Sequence, residues 1–212
     1  VIQRNNAKIE IHNYYKGLSI TNDAVISNIS EHSVTITTKY FQQKAIQTTG
    51  KTLIVSDALP FNIECSKIMS INFEKQSVEL KELHFVETSP IKRDTVRIVP
   101  EDKHKVSLFS NGSIIHAEIK IEDISLNAIR LKLDLFPSNI EKGTEVNLDI
   151  VLELDKKPLI INTTATLFRK VELKYGYSVV FIFGKFNKSG LTKYITKRQM
   201  AIIREFKGIQ NG

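Results

Sequence analysis

Two short stretches carry side chains suited to a planar, anionic ligand. In Lys92-Arg93-Asp94-Thr95-Val96-Arg97 two arginines stand four apart. A guanidinium presents its donors in a rigid fork that matches two adjacent acceptors or a phosphate. Further on, Asp123-Ile124-Ser125 offers a carboxylate acceptor and a hydroxyl. Each stretch is ordinary by itself, because one such arginine spacing arises readily by chance and Asp and Ser favour turns. Arg93 also reads as a solvated linker charge, Asp94 as the partner of another cation, and Asp123 with Ser125 as the brace of a β-turn. Order and surroundings set the pair of stretches apart. The arginines lie just ahead of the first strand of an all-β stretch, and Asp-x-Ser ends a strand within it.

The elements that must position these residues are mostly short strands. Val34/Ile36, Ile71/Phe73, Val78/Leu80, Ile129/Leu131/Leu133 and Ala165/Leu167 alternate with period 2. Lys16-Gly17, Thr49-Gly50, Asn111-Gly112, Lys142-Gly143 and Tyr175-Gly176 supply turns between them. Strands at this spacing predict barrels or sandwiches. Gly17 and Asn28-Ile29-Ser30 recur 95 residues later as Gly112 and Asp123-Ile124-Ser125, each followed by an alternating strand. We read two copies of one barrel, with coincidence between two all-β halves as the rival. The expected junction is Glu87-Thr88-Ser89-Pro90, giving domains over residues 1–90 and 91–212. The second copy ends in a helix after an Asn187 or Ser189 cap. Leu191, Tyr194, Ile195, Ile202 and Phe206 form its apolar stripe, opposite Lys193, Lys197, Arg204 and Lys207. The stripe is expected to pack on its barrel, with a homo-oligomer contact as the lesser alternative.

Bulk properties narrow the classes. With 42% hydrophobic and 25% charged residues the chain is expected to be globular rather than disordered. No apolar run approaches the ~20 residues that span a bilayer, and no charged-then-apolar leader opens the sequence, so the chain reads as cytoplasmic. The single Cys65 excludes an internal disulfide and any multi-cysteine metal site. It alternates with Phe61 and Ile63 and reads as a small buried hydrophobe. A formal charge of +7 favours anionic partners.

Taken together, the arginine pair, the stretch Asp123-Ile-Ser-Leu-Asn-Ala-Ile-Arg-Leu131, and the closing helix with Tyr194-Ile195 and Arg198-Gln199 resemble a PilZ domain. The resemblance covers residues 93–207, and a barrel ahead of it is similar to the flagellar-brake group of receptors. It implies a mainly β fold of two tandem barrels, the second a PilZ-type barrel with a C-terminal helix. It also implies a bacterial second-messenger receptor that binds cyclic di-GMP at the interdomain arginine motif and relays this to an unidentified protein partner. Lys92, Arg93, Arg97, Asp123, Ser125 and Ala128 are then the ligand residues. Guanine offers O6 and N7 to an arginine fork and donors to a carboxylate, and two phosphodiesters attract further arginine.

Departures from the pattern matter. Ala128 stands where the family's motif ends in Gly, a residue that permits φ > 0 or close approach, so weakened binding is expected. Val180 stands where the family often has Gly. Lys92 precedes the first arginine, at the position that in the family bears on ligand stoichiometry. Arg169 reads as an exposed strand arginine in preference to a ligand contact. The first copy has no matching arginine pair, and its Asn28-Ile-Ser-Glu-His-Ser33 ends in Ser, so it reads as an interaction barrel. His32 is a loop residue there, without a second metal ligand at suitable spacing.

No Gly-rich phosphate loop, histidine pair at metal spacing or nucleophile–base set supports an enzyme, and no cofactor or metal is expected. A ligand-independent PilZ-like adaptor is the alternative favoured by Ala128 and Val180. Nucleic-acid binding rests on charge alone, without aromatics set among the basic residues.

Overall fold

A computed structural model describes residues 9–86, 95–101, 104–154 and 156–208. The chain divides into two compact units near residue 93. The first holds β1 (Ile9–Tyr15), β2 (Leu18–Ile29), β3 (Val34–Thr38), α1 (Tyr40–Thr49), β4 (Thr52–Val55), β5 (Asn62–Asn72) and β6 (Ser77–Val86). Its strands close into a barrel in the order β1-β2-β3-β6-β5-β4. Alternation fills it: Ile9, Ile11, Ile36, Val78 and Leu80 are fully buried, with Cys65 among them. Burial pushes the Cys65 thiol up, although hydrogen bonds to the Lys67 and Lys81 carbonyls oppose the shift.

The sequence pattern of strands did not anticipate α1. Its helix buries Gln42 and Gln43 along with Ala45 and Ile46, so the apolar stripe is too interrupted to read from the sequence. Tertiary hydrogen bonds make the burial tolerable. Gln42 Nε2 donates to Asn13 Oδ1 at 2.6 Å, and Gln43 Nε2 to the carbonyls of Asn72 and Ser77. Gly50, in the left-handed region at φ 69°, ends the helix, and its N–H donates to the Ile46 carbonyl.

The second unit holds β7 (His104–Ser110), β8 (Ser113–Ile114), β9 (Ile119–Ile124), β10 (Ala128–Leu133), β11 (Glu145–Leu154), β12 (Lys157–Glu172), β13 (Tyr177–Phe183) and α2 (Ser189–Gly208). Its strands form a curled sheet in the order β8-β7-β11-β12-β13-β10-β9. This is the order of the first barrel with one seam unladdered, between β7 and β9. At that seam the His104 ring bridges instead, Nε2 accepting from the Ile121 N–H at 3.1 Å while Nδ1 faces the Glu101 carbonyl at 2.9 Å. The β1–β2 and β7–β8 hairpins turn alike, through Lys16-Gly17 and Asn111-Gly112 with both φ values positive in each.

The expected apolar stripe of α2 is the buried one: Leu191, Tyr194, Ile195, Ile202 and Phe206. The Asn187 side chain caps its start, accepting from the Ser189 N–H at 3.0 Å. No helix among the described residues is long and apolar enough to cross a membrane.

Candidate functional site

The residues just after Arg97 fix its position. Ile98, fully buried, exchanges two main-chain hydrogen bonds with Ile124, at 3.0 and 2.9 Å. Farther along, Arg198 of α2 donates from Nε to the Val99 carbonyl at 3.0 Å and reaches Glu101 Oε1 at 3.4 Å. A Glu101 main-chain hydrogen bond also meets Tyr194, whose hydroxyl burial pushes up in pKa. The arginine segment is thereby fastened beside the end of β9, just downstream of Arg97.

Asp123 sits between two cations. Arg97 Nη1 stands 3.8 Å from its Oδ1 and Arg130 Nε 3.1 Å from its Oδ2. The Arg130 Nε is buried yet makes no hydrogen bond, so its N–H is not aimed along this short approach. The carboxylate is only 17% exposed, against 26% for Arg97 and 36% for Arg130. The two guanidiniums beside this largely buried carboxylate offset its negative charge.

Ser125 has another task. Its hydroxyl, 2% exposed, donates to the Ala128 carbonyl and accepts from the Ala128 and Asn127 N–H groups at 3.1 and 3.4 Å. It braces the β9–β10 turn that holds Asp123 at the end of its strand. Ala128 begins β10 opposite Ile182. Arg169 is exposed, on β12 opposite Val180. Lys92 and Arg93 lie outside the described residues.

The fold thus unites Arg97 with Asp123, and adds Arg130, a residue that motif spacing does not single out. Its signal was available: alternation with the buried Ile129 and Leu131 turns it outward, to the side of Asp123. Among the described residues no group of three or more His, Cys, Asp and Glu side chains could hold a metal.

Neither a protein-family model nor a curated protein matches the sequence. Among solved structures the chain is similar to the Bacillus subtilis inhibitor of motility (MotI/DgrA), at 11% identity over 93% of this chain and 96% of that one, with TM-score 0.48. It is similar to the K. pneumonia MrkH–c-di-GMP complex at 15% identity, over 97% and 91% of the two chains, with TM-score 0.44. The third is YcgR from Escherichia coli in complex with c-di-GMP, at 12% identity, 99% and 88% coverage and TM-score 0.40. Two of these three hold cyclic di-GMP.

Proposed function

We propose that this chain is a non-catalytic receptor for cyclic di-GMP whose second unit binds the dinucleotide and whose state is read by a protein partner. The observation that carries the reading is the Ile98–Ile124 bridge, which fastens the arginine segment against the strand that carries Asp123. Arg97 and Asp123 face each other as an ion pair at 3.8 Å. A guanine supplies both with better-matched partners, since O6 and N7 accept from the arginine fork and the ring N–H and amino group donate to the carboxylate. Neither charge is left buried and unpaired in either state, which keeps the exchange accessible. Arg93 and Lys92 precede Arg97 closely enough in sequence to add charge toward the phosphodiesters. Ser125 acts by holding the turn.

A second reading, a ligand-independent adaptor, draws on one observation: Asp123 and Ser125 already have partners within their own unit. Calorimetric titration of cyclic di-GMP into the wild type and Arg97→Ala separates the two. The receptor reading expects saturable binding by the wild type and a loss of about tenfold or more in the variant. No heat at high micromolar ligand supports the adaptor, and equal binding by both proteins displaces the assigned site.

A further inference from the structure

The site continues across the outer face of the second sheet. Asp123 is directly opposite Arg130, Arg130 opposite Val180, and Val180 opposite Arg169. Directly opposed residues share a face. Their neighbours Ile129, Leu131, Val179, Phe181 and Leu167 are buried, so this row points outward. Three interstrand steps of ~4.8 Å make it about 14 Å long. Arg169 reaches the row through a bulge between Leu167 and Arg169. Without the extra residue, strict alternation would send Arg169 to the same side as the buried Leu167.

The adjoining row is cationic too. Lys120 lies directly opposite Lys132, a like-charge pairing that disfavours the sheet. Glu122 is engaged by the Ser178 hydroxyl at 2.8 Å and Asp123 by its two arginines. That leaves Lys120, Lys132 and Arg169 without a carboxylate partner among the described residues.

The first unit shows that the fold does not require this charge. Its matching row is Asn28–Thr35–Glu79–Ser70, with the same registers and a bulge at the same place, between Ile68 and Ser70. It contains no cation. A row built identically but recharged, with a bulge turning an arginine onto it, marks a surface for an anion.

We infer that Arg169 is a ligand-contacting residue at the far end of the dinucleotide site, binding a phosphodiester, with Val180 as the apolar floor for a purine face between Arg130 and Arg169. This rests on the reading of the chain as a cyclic di-GMP receptor. A ligand with two phosphodiesters and two flat bases is long enough to meet Asp123 at one end and Arg169 at the other.

The test is titration of cyclic di-GMP, at two salt concentrations, into the wild type, Arg169→Ala, Arg169→Lys, and Lys193→Ala as a control for net charge. Arg169→Ala should weaken binding about tenfold and flatten its salt dependence, and Arg169→Lys should recover part of the loss. Lys193→Ala should bind as the wild type does. Val180→Glu, which sets a carboxylate between the arginines, should weaken binding at least as much while its circular dichroism stays native. If Arg169→Ala binds like the wild type while Arg97→Ala does not, the inference falls and the receptor reading stands. No binding by the wild type removes both. Loss of single-stranded oligonucleotide retention in Arg169→Ala, with dinucleotide binding unchanged, would assign the row to polyanions in general and overturn the inference.

Discussion

The turn after β2 and the turn after β9 are the same structure with different cargo. Ser30 N–H donates to the Ser33 carbonyl at 2.9 Å, and the Ser30 hydroxyl donates to that carbonyl at 3.2 Å and accepts from the Ser33 N–H at 3.1 Å. Ser125 and Ala128 make the same three bonds, at 2.9, 3.1 and 3.1 Å. The strands beyond them pair in matching register, Asn28 with Thr35 and Asp123 with Arg130. One half of the Asp-x-Ser signature, the serine, is therefore a device of the fold that both units need. The other half is variable. Where Asp123 gathers two arginines, Asn28 faces a neutral threonine, so the first unit keeps the scaffold without the electrostatics. The difference between the two units therefore lies in the outward residues, over a turn serine that both share.

Core substitutions in equivalent places should separate the units most strongly. Ile36 and Leu131, 95 residues apart, are both fully buried. Ile36→Ala and Leu131→Ala should each destabilise its own unit by about 2–5 kcal/mol, seen as one of two denaturation transitions moving. Saturating cyclic di-GMP should raise only the transition that Leu131→Ala lowers, because a ligand stabilises the unit that binds it. A single transition that shifts with either substitution would show that the units unfold together.

The shared turn gives the next effect. Ser30→Ala and Ser125→Ala each remove a hydroxyl that both donates and accepts, and each should cost about 1–2 kcal/mol in chemical denaturation. Affinity for the dinucleotide should fall only with Ser125→Ala, through the loosened seat of Asp123. Equal affinity in wild type and Ser125→Ala would mean that the carboxylate does not depend on the turn.

Strand positions and the α2 stripe were legible because period 2 and period 3.6 are written in single residues such as Ile129, Leu131 and Tyr194. Other features were not, because they depend on partners distant in sequence. Gln42 and Gln43 look like surface residues until Asn13, Asn72 and Ser77 are placed around them. The bulge that turns Arg169 outward leaves no mark in the sequence, since Leu167-Phe168-Arg169 fits either face. The repeat itself was visible in Gly17/Gly112 and Ser30/Ser125, whose types the turns demand. The open seam at β7 and β9 was not, because it reflects where His104 rather than a main-chain ladder joins two strands.

Ala128 is where the comparison makes the smallest and sharpest prediction. A left-handed turn backbone is one of the two reasons for a glycine in this place, close approach being the other. The structure removes the first reason. Ala128 begins a strand, and the non-glycine residues described with positive φ are Lys16, Gln76, Glu82, Asn111 and Lys156. Its counterpart Ser33 carries a larger side chain and makes the same main-chain bonds. Ala128→Gly should therefore gain nothing in the backbone and lose about 0.5–1 kcal/mol of stability to the freer unfolded chain. Affinity should stay nearly constant in the same titration. If it rises by tenfold, equivalent to about 1.4 kcal/mol, the Ala128 methyl occupies ligand space, and crowding rather than turn strain is the reason glycine suits this position.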